Sequence, residues 1–393
     1  MDTVFRRRGL AAYVNTSRFE GKSGVKEYHL TVSPCRKAGF ETQLESVNAA
    51  YNETLEALRL EPGTAVMRRF FCSNLPKQRP FLEKTRFSRH DDAEFPCSVS
   101  WICQPPEYPA KISLWAYHLE DPNGTAGRAC GMENTVAFRR GGMTHYRTCG
   151  LNLPSDGSTS YEQTRGIFNR YNAFLQEQGM SIGENVIRTW LFVQNIDANY
   201  TGMVEARKEF FLEHGLNPKT HFIASTGVEG SHINPSAIVT MDAYAVSGVK
   251  PEQVEYLSAP NFLSPTHAYG VTFERGTSVA YNDRKHVIIS GTASIDRMGR
   301  ILHRGNVTRQ LCRALNNIGA LLARAGATLK DVAVFIVYVK NPEDNAVVRE
   351  KMIEQFGGIP ISAVNAPICR PDWLVEVECI AVIHDSNPNL PPL

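Results

Sequence analysis

The 393-residue chain lacks most of the short patterns that announce a chemistry. Its nine cysteines form no CxxC pair and no Cys/His spacing that suits zinc, which argues against a metal finger and for a reduced compartment. His214, His221, His232 and His267 have no ligand spacing either, so no metal is expected. No apolar run approaches the roughly 20 residues of a membrane helix, and no N-terminal stretch has the apolar centre of a signal peptide. The expectation is a soluble, cytoplasmic protein. Charge of one sign is also missing: 42 Lys+Arg against 40 Asp+Glu, spread along the chain, leave a formal +2 and no basic patch for nucleic acid. No GxGxxG or P-loop pattern follows a strand and no GxSxG elbow occurs, so no cofactor is expected.

What the chain does have is a repeat. From Gln310, a stripe of Leu311, Leu315, Ile318, Leu321 and Leu322 predicts a helix, followed by a glycine turn and the β-branched run Val332 to Val339. From Gln163 the same frame returns, with Ile167, Tyr171, Phe174 and Leu175 on one helical face and an apolar strand ending near Asn195. From Gln43 it returns again, with Leu44, Val47, Tyr51, Leu55 and Leu58, a Pro62-Gly63 turn and a strand ending at Asn74. A short strand precedes each helix (HLTVSP, HYRTCGL, VIISGTASI), and a last strand closes each unit (ISLWAYHL, AIVTMDAYAV, LVEVECIAVI). A second helical stretch, clearest at 203–214 and 345–355, lies between them.

Three α/β units follow, over residues 1–120, 121–258 and 265–393, with turn-rich boundaries at 121–127 and 258–266. In the final strand Val375, Val377, Cys379, Ala381 and Ile383 make one apolar face for the helices. The other face carries Glu376 and Glu378 before Ile380 and Val382, which suits a contact between sheets better than open water. Three sheets closing round one axis would bury it. The expected molecule is a single-chain, monomeric pseudo-trimer of α+β modules, each a mixed sheet backed by two helices.

ISGTASID, AGATLKDV, VYVKN, VREKMIEQFG and VEVECIAV, across residues 286–383, resemble the Rid/YjgF family, small proteins with a chorismate-mutase-like fold whose homotrimers hold ligands in clefts between subunits. GTASI, HRGNVTRQ, VIRTWLFVQNI and CRPDWLVE, from residue 140 onward, resemble the chorismatases, single-chain relatives that cleave chorismate. Those resemblances imply a small carboxylate substrate, no metal and no cofactor.

They also imply roles for particular residues. Glu376 is the matching acid, needed because cleavage of an enol ether requires a proton on the methylene carbon. Cys369 matches the position that marks one product type, 3-hydroxybenzoate in place of a dihydrodiol. Arg370 presents a planar fork to a carboxylate, although Asp372 beside it is an alternative partner. Chorismate is a dianion, so Arg147, Arg188 and Arg275 are further clamps facing the cleft between units two and three. Ser290, Thr292 and Ser294 are ligand donors or satisfy nearby backbone. On the residues alone, Glu376 is equally a structural carboxylate. Burial would raise its pKa and Arg370 would lower it. The expected function is chorismatase-like release of pyruvate. The alternatives are Rid-type enamine/imine hydrolysis and non-catalytic ligand binding.

Overall fold

A computed structural model describes residues 2–8, 11–89, 92, 94–122, 124, 128–129 and 131–393. The first module comprises β1 (Asp2–Arg8), β2 (Ala12–Glu20), β3 (Lys26–Pro34), α1 (Phe40–Leu58), β4 (Ala65–Cys72), α2 (Leu75–Leu82), β5 (Ser98–Cys103) and β6 (Ile112–Glu120). The second comprises β7 (Arg128–Ala129), β8 (Thr135–Arg140), β9 (Met143–Asn152), α3 (Ser160–Glu177), a one-turn α4 (Ile182–Asn185), β10 (Val186–Val193), α5 (Ile196–Glu213), β11 (Ala224–Glu229) and β12 (Val239–Ser247). The third comprises β13 (Val254–Tyr256), β14 (Gly276–Ala280), β15 (Arg284–Ala293), α6 (Val307–Arg324), β16 (Val332–Val339), α7 (Asn345–Phe356), β17 (Ile361–Asn365) and β18 (Val375–His384).

The three six-stranded sheets share one strand order: β1-β2-β3-β6-β4-β5, β7-β8-β9-β12-β10-β11 and β13-β14-β15-β18-β16-β17. In each, one pair is parallel, β4/β5, β10/β11 and β16/β17, and α2, α5 or α7 makes the crossover that a parallel pair requires. Because β13 joins the third sheet, the second module ends before residue 254, earlier than the expected 258. Of the expected boundary at 121–127, residues 123 and 125–127 lie outside the described residues.

The repeat has a physical core. Gln43, Gln163 and Gln310, at the start of α1, α3 and α6, are all buried. Each pins the approach to its module's last strand: Gln43 donates to the Pro109 carbonyl and accepts from the Lys111 amide. Gln163 does so with Ser236 and Ile238, and Gln310 with Asp372 and Leu374. Replacing that glutamine would strand a buried carbonyl and an amide together, which explains its recurrence.

Each helical stripe packs on its own sheet; in the third module Leu311, Leu315, Ile318 and Leu322 meet Val375, Val377 and Cys379. The other face of every sheet turns inward to a shared axial core that draws Phe71, Trp115, Trp190, Tyr244, Ile336 and Tyr338 from all three modules. β16 is consequently buried along its whole length, as a strand between two layers must be. Glu376 and Glu378 are 5% and 3% exposed on this inner face. One buried Arg–carboxylate pair joins each pair of modules: Arg69–Asp242 at 2.7 Å, Arg188–Glu378 at 2.6 Å and Arg284–Glu27 at 2.7 Å.

Candidate active site

Each junction between modules forms a cleft where the outer parallel strand of one sheet meets the neighbouring sheet. The cleft between modules two and three spans about 520 Å³ with its open mouth and is lined by Glu376, Cys369, Arg370 and Arg275, four of the nine residues expected to form a site. The same cleft adds Tyr200 and Arg207 from α5, Ser225 from β11, Phe273, Gly291 and Trp373.

Its geometry begins with a β-bulge. β15 pairs regularly with β18 as far as Ile289↔Cys379, and pairing resumes at Thr292↔Val377, which leaves Ser290 and Gly291 out of register. The Gly291 amide donates to Thr226 Oγ1 of module two at 2.8 Å. A Cβ on Gly291 would stand 1.8 Å from Glu376 Oε1, so only glycine leaves room for this carboxyl. Glu376 has no hydrogen-bond partner among the described residues. Burial first, and the Glu378 charge second, push its pKa up to about 8 against the pull of Arg275 and Arg188. A protonated carboxyl at neutral pH faces the cleft.

The rest of the lining is cationic and aromatic. Arg275 and Arg207 are 5% and 2% exposed, with Arg275 Nη2 donating to the Ser264 carbonyl at 3.1 Å and Arg207 Nη1 reaching Ser225 Oγ at 3.5 Å. Arg370 is half-buried, its guanidinium 5.9 Å from the Tyr200 ring centroid. Asp372 pairs with Arg304 at 2.8 Å, and no ion pair joins it to Arg370 among the described residues. Tyr200 stands beside Cys369, and burial with the nearby Glu376 pushes the Cys369 thiol up to about 12. Cys369 therefore stands in the cleft as a neutral thiol, not a thiolate nucleophile. Trp373, 8% exposed, keeps its indole N–H without an acceptor among the described residues.

Five expected ligand contacts lie elsewhere. Arg188 is fully enclosed, bound to Glu378, to Ser290 Oγ at 2.8 Å and to Thr226. Its charge stabilises Glu378, which also accepts from Trp190 Nε1 at 2.8 Å. Ser290 is spent within the fold: its hydroxyl donates to the Glu274 carbonyl at 2.6 Å and accepts from Arg188 and from the Ser225 amide. Thr292 donates to the Ser290 carbonyl at 2.9 Å. Arg147 belongs to the junction of modules one and two, 3.6 Å from the Tyr244 ring centroid and 5.3 Å from that of Tyr117. Ser294, likewise, donates to the Leu302 carbonyl. Strand spacing names the residues but not which junction each strand serves.

Arg207 and Tyr200 were missed. Their signal is an arginine and a tyrosine in register with Met203 on the buried stripe of α5, where a charge has no reason to be unless something meets it. Among the described residues, no three His, Cys, Asp or Glu side chains gather as a metal site would need, and no helix is long and apolar enough to cross a membrane.

Residues 276–383 match the family described as Endoribonuclease L-PSP. A RutC family protein of Pyrococcus abyssi is 34% identical over 97 residues, 24% of this chain and 76% of that protein. A RutC family protein of Pyrococcus horikoshii is 34% identical over the same length, 77% of its own chain. Among solved structures, a chorismatase superposes with a TM-score of 0.61 over 81% of this chain and 93% of its own, at 20% identity, a likeness of fold across all three modules.

Proposed function

Since this chain belongs to the RutC family, through its third module, and carries that module within a chorismatase-like three-module fold, we propose that it is an enzyme acting on a small carboxylate in the cleft between modules two and three. The reaction we assign is chorismatase-like cleavage of an enolpyruvyl ether. One observation carries this reading: the buried Glu376 carboxyl, without a hydrogen-bond partner among the described residues and with its pKa raised to about 8, is protonated at neutral pH and faces a cleft lined by arginines.

Such a group suits an enol ether. Glu376 delivers its proton to the terminal methylene carbon, the ether oxygen stabilises the resulting cation, and water adds to the cationic carbon. The Glu376 carboxylate takes up the proton that the water loses. The hemiketal then collapses with protonation of the departing oxygen, so the ether and one water become pyruvate and an alcohol. Arg275, Arg207 and Arg370 offer guanidinium forks to the substrate carboxylates, and their charge holds the substrate where the proton is needed. Cys369, as a neutral thiol beside Tyr200, shapes the wall of the cleft.

Incubation with chorismate, with pyruvate read by coupled NADH oxidation, tests the assignment. Pyruvate release that falls at least about 100-fold in Glu376→Gln supports it. No pyruvate above background, or a Glu376→Gln variant as active as the parent, overturns it. The second reading, hydrolysis of an enamine or imine, draws on the RutC kinship and on the half-buried Arg370. It predicts that 2-aminoacrylate is consumed by the parent and not by Arg370→Ala.

A further inference from the structure

β18 sets two carboxyl groups, Glu376 and Glu378, on one buried face, two residues and so about 7 Å apart along the strand. Their surroundings are opposite. Glu378 is saturated with donors: Arg188 Nη2 at 2.6 Å and the Thr226 hydroxyl on Oε2, Trp190 Nε1 at 2.8 Å and the Tyr338 hydroxyl at 3.2 Å on Oε1. Three of the four come from module two, through β10 and β11. Glu376 receives none among the described residues.

The direction of these bonds is fixed. A guanidinium and an indole N–H can only donate. The Thr226 hydroxyl already accepts from the Gly291 amide at 2.8 Å and from Arg188, so its own proton goes to Glu378. With two donors on each oxygen, the roughly four acceptor sites of a carboxylate are all used, and a proton on Glu378 would have to displace one of them. Two enclosed anions this close repel, so the pair retains one proton, and Glu376 has the room for it. Burial first, and the Glu378 charge second, accordingly hold the Glu376 pKa at about 8 against Arg275, ahead of β14, and Arg188. The other groups toward Glu376 are Tyr338 from β16, Cys369 and Arg370 from the lead-in to β18, and Tyr200 and Arg207 from α5. The arrangement is particular to this junction. Asp242 is also held by donors, from Arg69, Ser100 and the Gly150 amide, but its same-face neighbours on β12 are Thr240 and Tyr244, so no second carboxyl competes there.

We propose that Trp190, Thr226 and Tyr338, none of which lines the cleft, are positioning residues that decide which carboxyl is the acid: by filling the acceptor sites of Glu378 they seat the shared proton on Glu376. The seat of the proton is a property of the folded chain; its use in turnover rests on the reaction proposed above.

Carbon-13 NMR of the glutamate carboxyls, with the Glu376 signal assigned by its loss in Glu376→Gln, reads the proton without substrate. At pH 7 the parent should show the neutral carboxyl in about tenfold excess over the anion, with a midpoint near pH 8. In Thr226→Val and Trp190→Phe, which remove a donor, the neutral form of Glu376 should fall toward about half at pH 7 as Glu378 takes a share of the proton. Tyr338→Phe removes only a hydroxyl and gives the same reading where a larger change unfolds the chain. Thr226→Ser, which restores the hydroxyl, should restore the signal. With chorismate, kcat should fall in the donor-less variants and recover in Thr226→Ser while KM holds. A Glu376 signal that stays neutral at pH 7 in every folded donor-less variant overturns the proposal, as does a parent Glu376 that is already a carboxylate. The expected signals without pyruvate release support the proposal and overturn the reaction alone.

Discussion

Glu376 ties function and stability to one proton. Its pKa in the folded chain is about 8, against an ordinary value near 4.5. Between these values the folded state keeps a proton that the unfolded state has lost, so stability falls as pH rises, by about 1.4 kcal/mol per pH unit, and levels off above about 8. Below about 4.5 both states are protonated and this group contributes no slope. Urea unfolding from pH 5 to 9 should show the decline in the parent and lose much of it in Glu376→Gln, which should also be the more stable at pH 8. The same proton predicts that kcat/KM for the proposed reaction falls above about pH 8, where the acid is spent. Gly291→Ala separates the two roles. The new methyl would collide with the Glu376 carboxyl, the movable end of a side chain, and come within 3.0 Å of the Thr226 methyl. Activity should drop at least about 100-fold by displacement of the acid, with a stability loss of about 1–3 kcal/mol read from the same urea curves. How far single residues were legible depended on their partners. Glu376, Cys369 and Arg370 share one cleft because the final strand and its lead-in face it, and Arg275 joins them from the residue before β14. Arg188 was not, because the carboxylate that claims it, Glu378, lies 190 residues away and no local pattern couples them.

The elements were more legible than the site, since they follow from patterns within about thirty residues. The stripes of α1, α3 and α6, the apolar runs of β4, β10 and β16 and the alternation of β18 are each set by burial on faces of fixed period. The strand added at β13 was not legible, because three residues, Val254 to Tyr256, with only partial burial leave no alternation to read. Nor was the role of the recurring glutamine, which is a matter of hydrogen bonds made after folding. That role gives a prediction at this scale. Gln310→Leu keeps the size of the side chain but leaves the Asp372 carbonyl and the Leu374 amide without their partner. A loss of about 2–4 kcal/mol is expected from the two stranded groups. The loop they hold carries Cys369, Arg370 and Trp373 into the cleft, so KM for the carboxylate substrate should rise as well. Gln310→Glu, which retains the acceptor for Leu374, should recover part of both. Urea titration and steady-state kinetics on the same preparations check the pair.

At the scale of the molecule, fusion of three modules lets each junction diverge while the axis stays common. A homotrimer must repeat any residue three times, whereas here the register position of Glu376 is filled by Ser113 and Thr240 in the other two modules. What persists at every junction is a buried ion pair, and the three pairs are built from different strands: β4 to β12, β10 to β18 and β15 to β3. Their burial decides the consequence of breaking one. Arg69 and Asp242 have side chains 0% and 2% exposed, so Asp242→Leu would leave a guanidinium enclosed without its counter-charge, at a cost of about 3–5 kcal/mol. Arg69 lies within about 5 Å of the Trp115, Trp190 and Phe192 rings, which belong to two modules, so its strain falls on the shared core and not on module one alone. The variant should lower the single unfolding transition of the whole chain instead of releasing one module early. Arg69→Met combined with Asp242→Leu removes both charges and should regain most of the loss, because an apolar pair of similar volume needs no solvation. Calorimetric melting of the parent, both single variants and the double variant closes the cycle. An early separate transition in Asp242→Leu would mean that the modules fold independently and that the axis is a contact between them, not their common core.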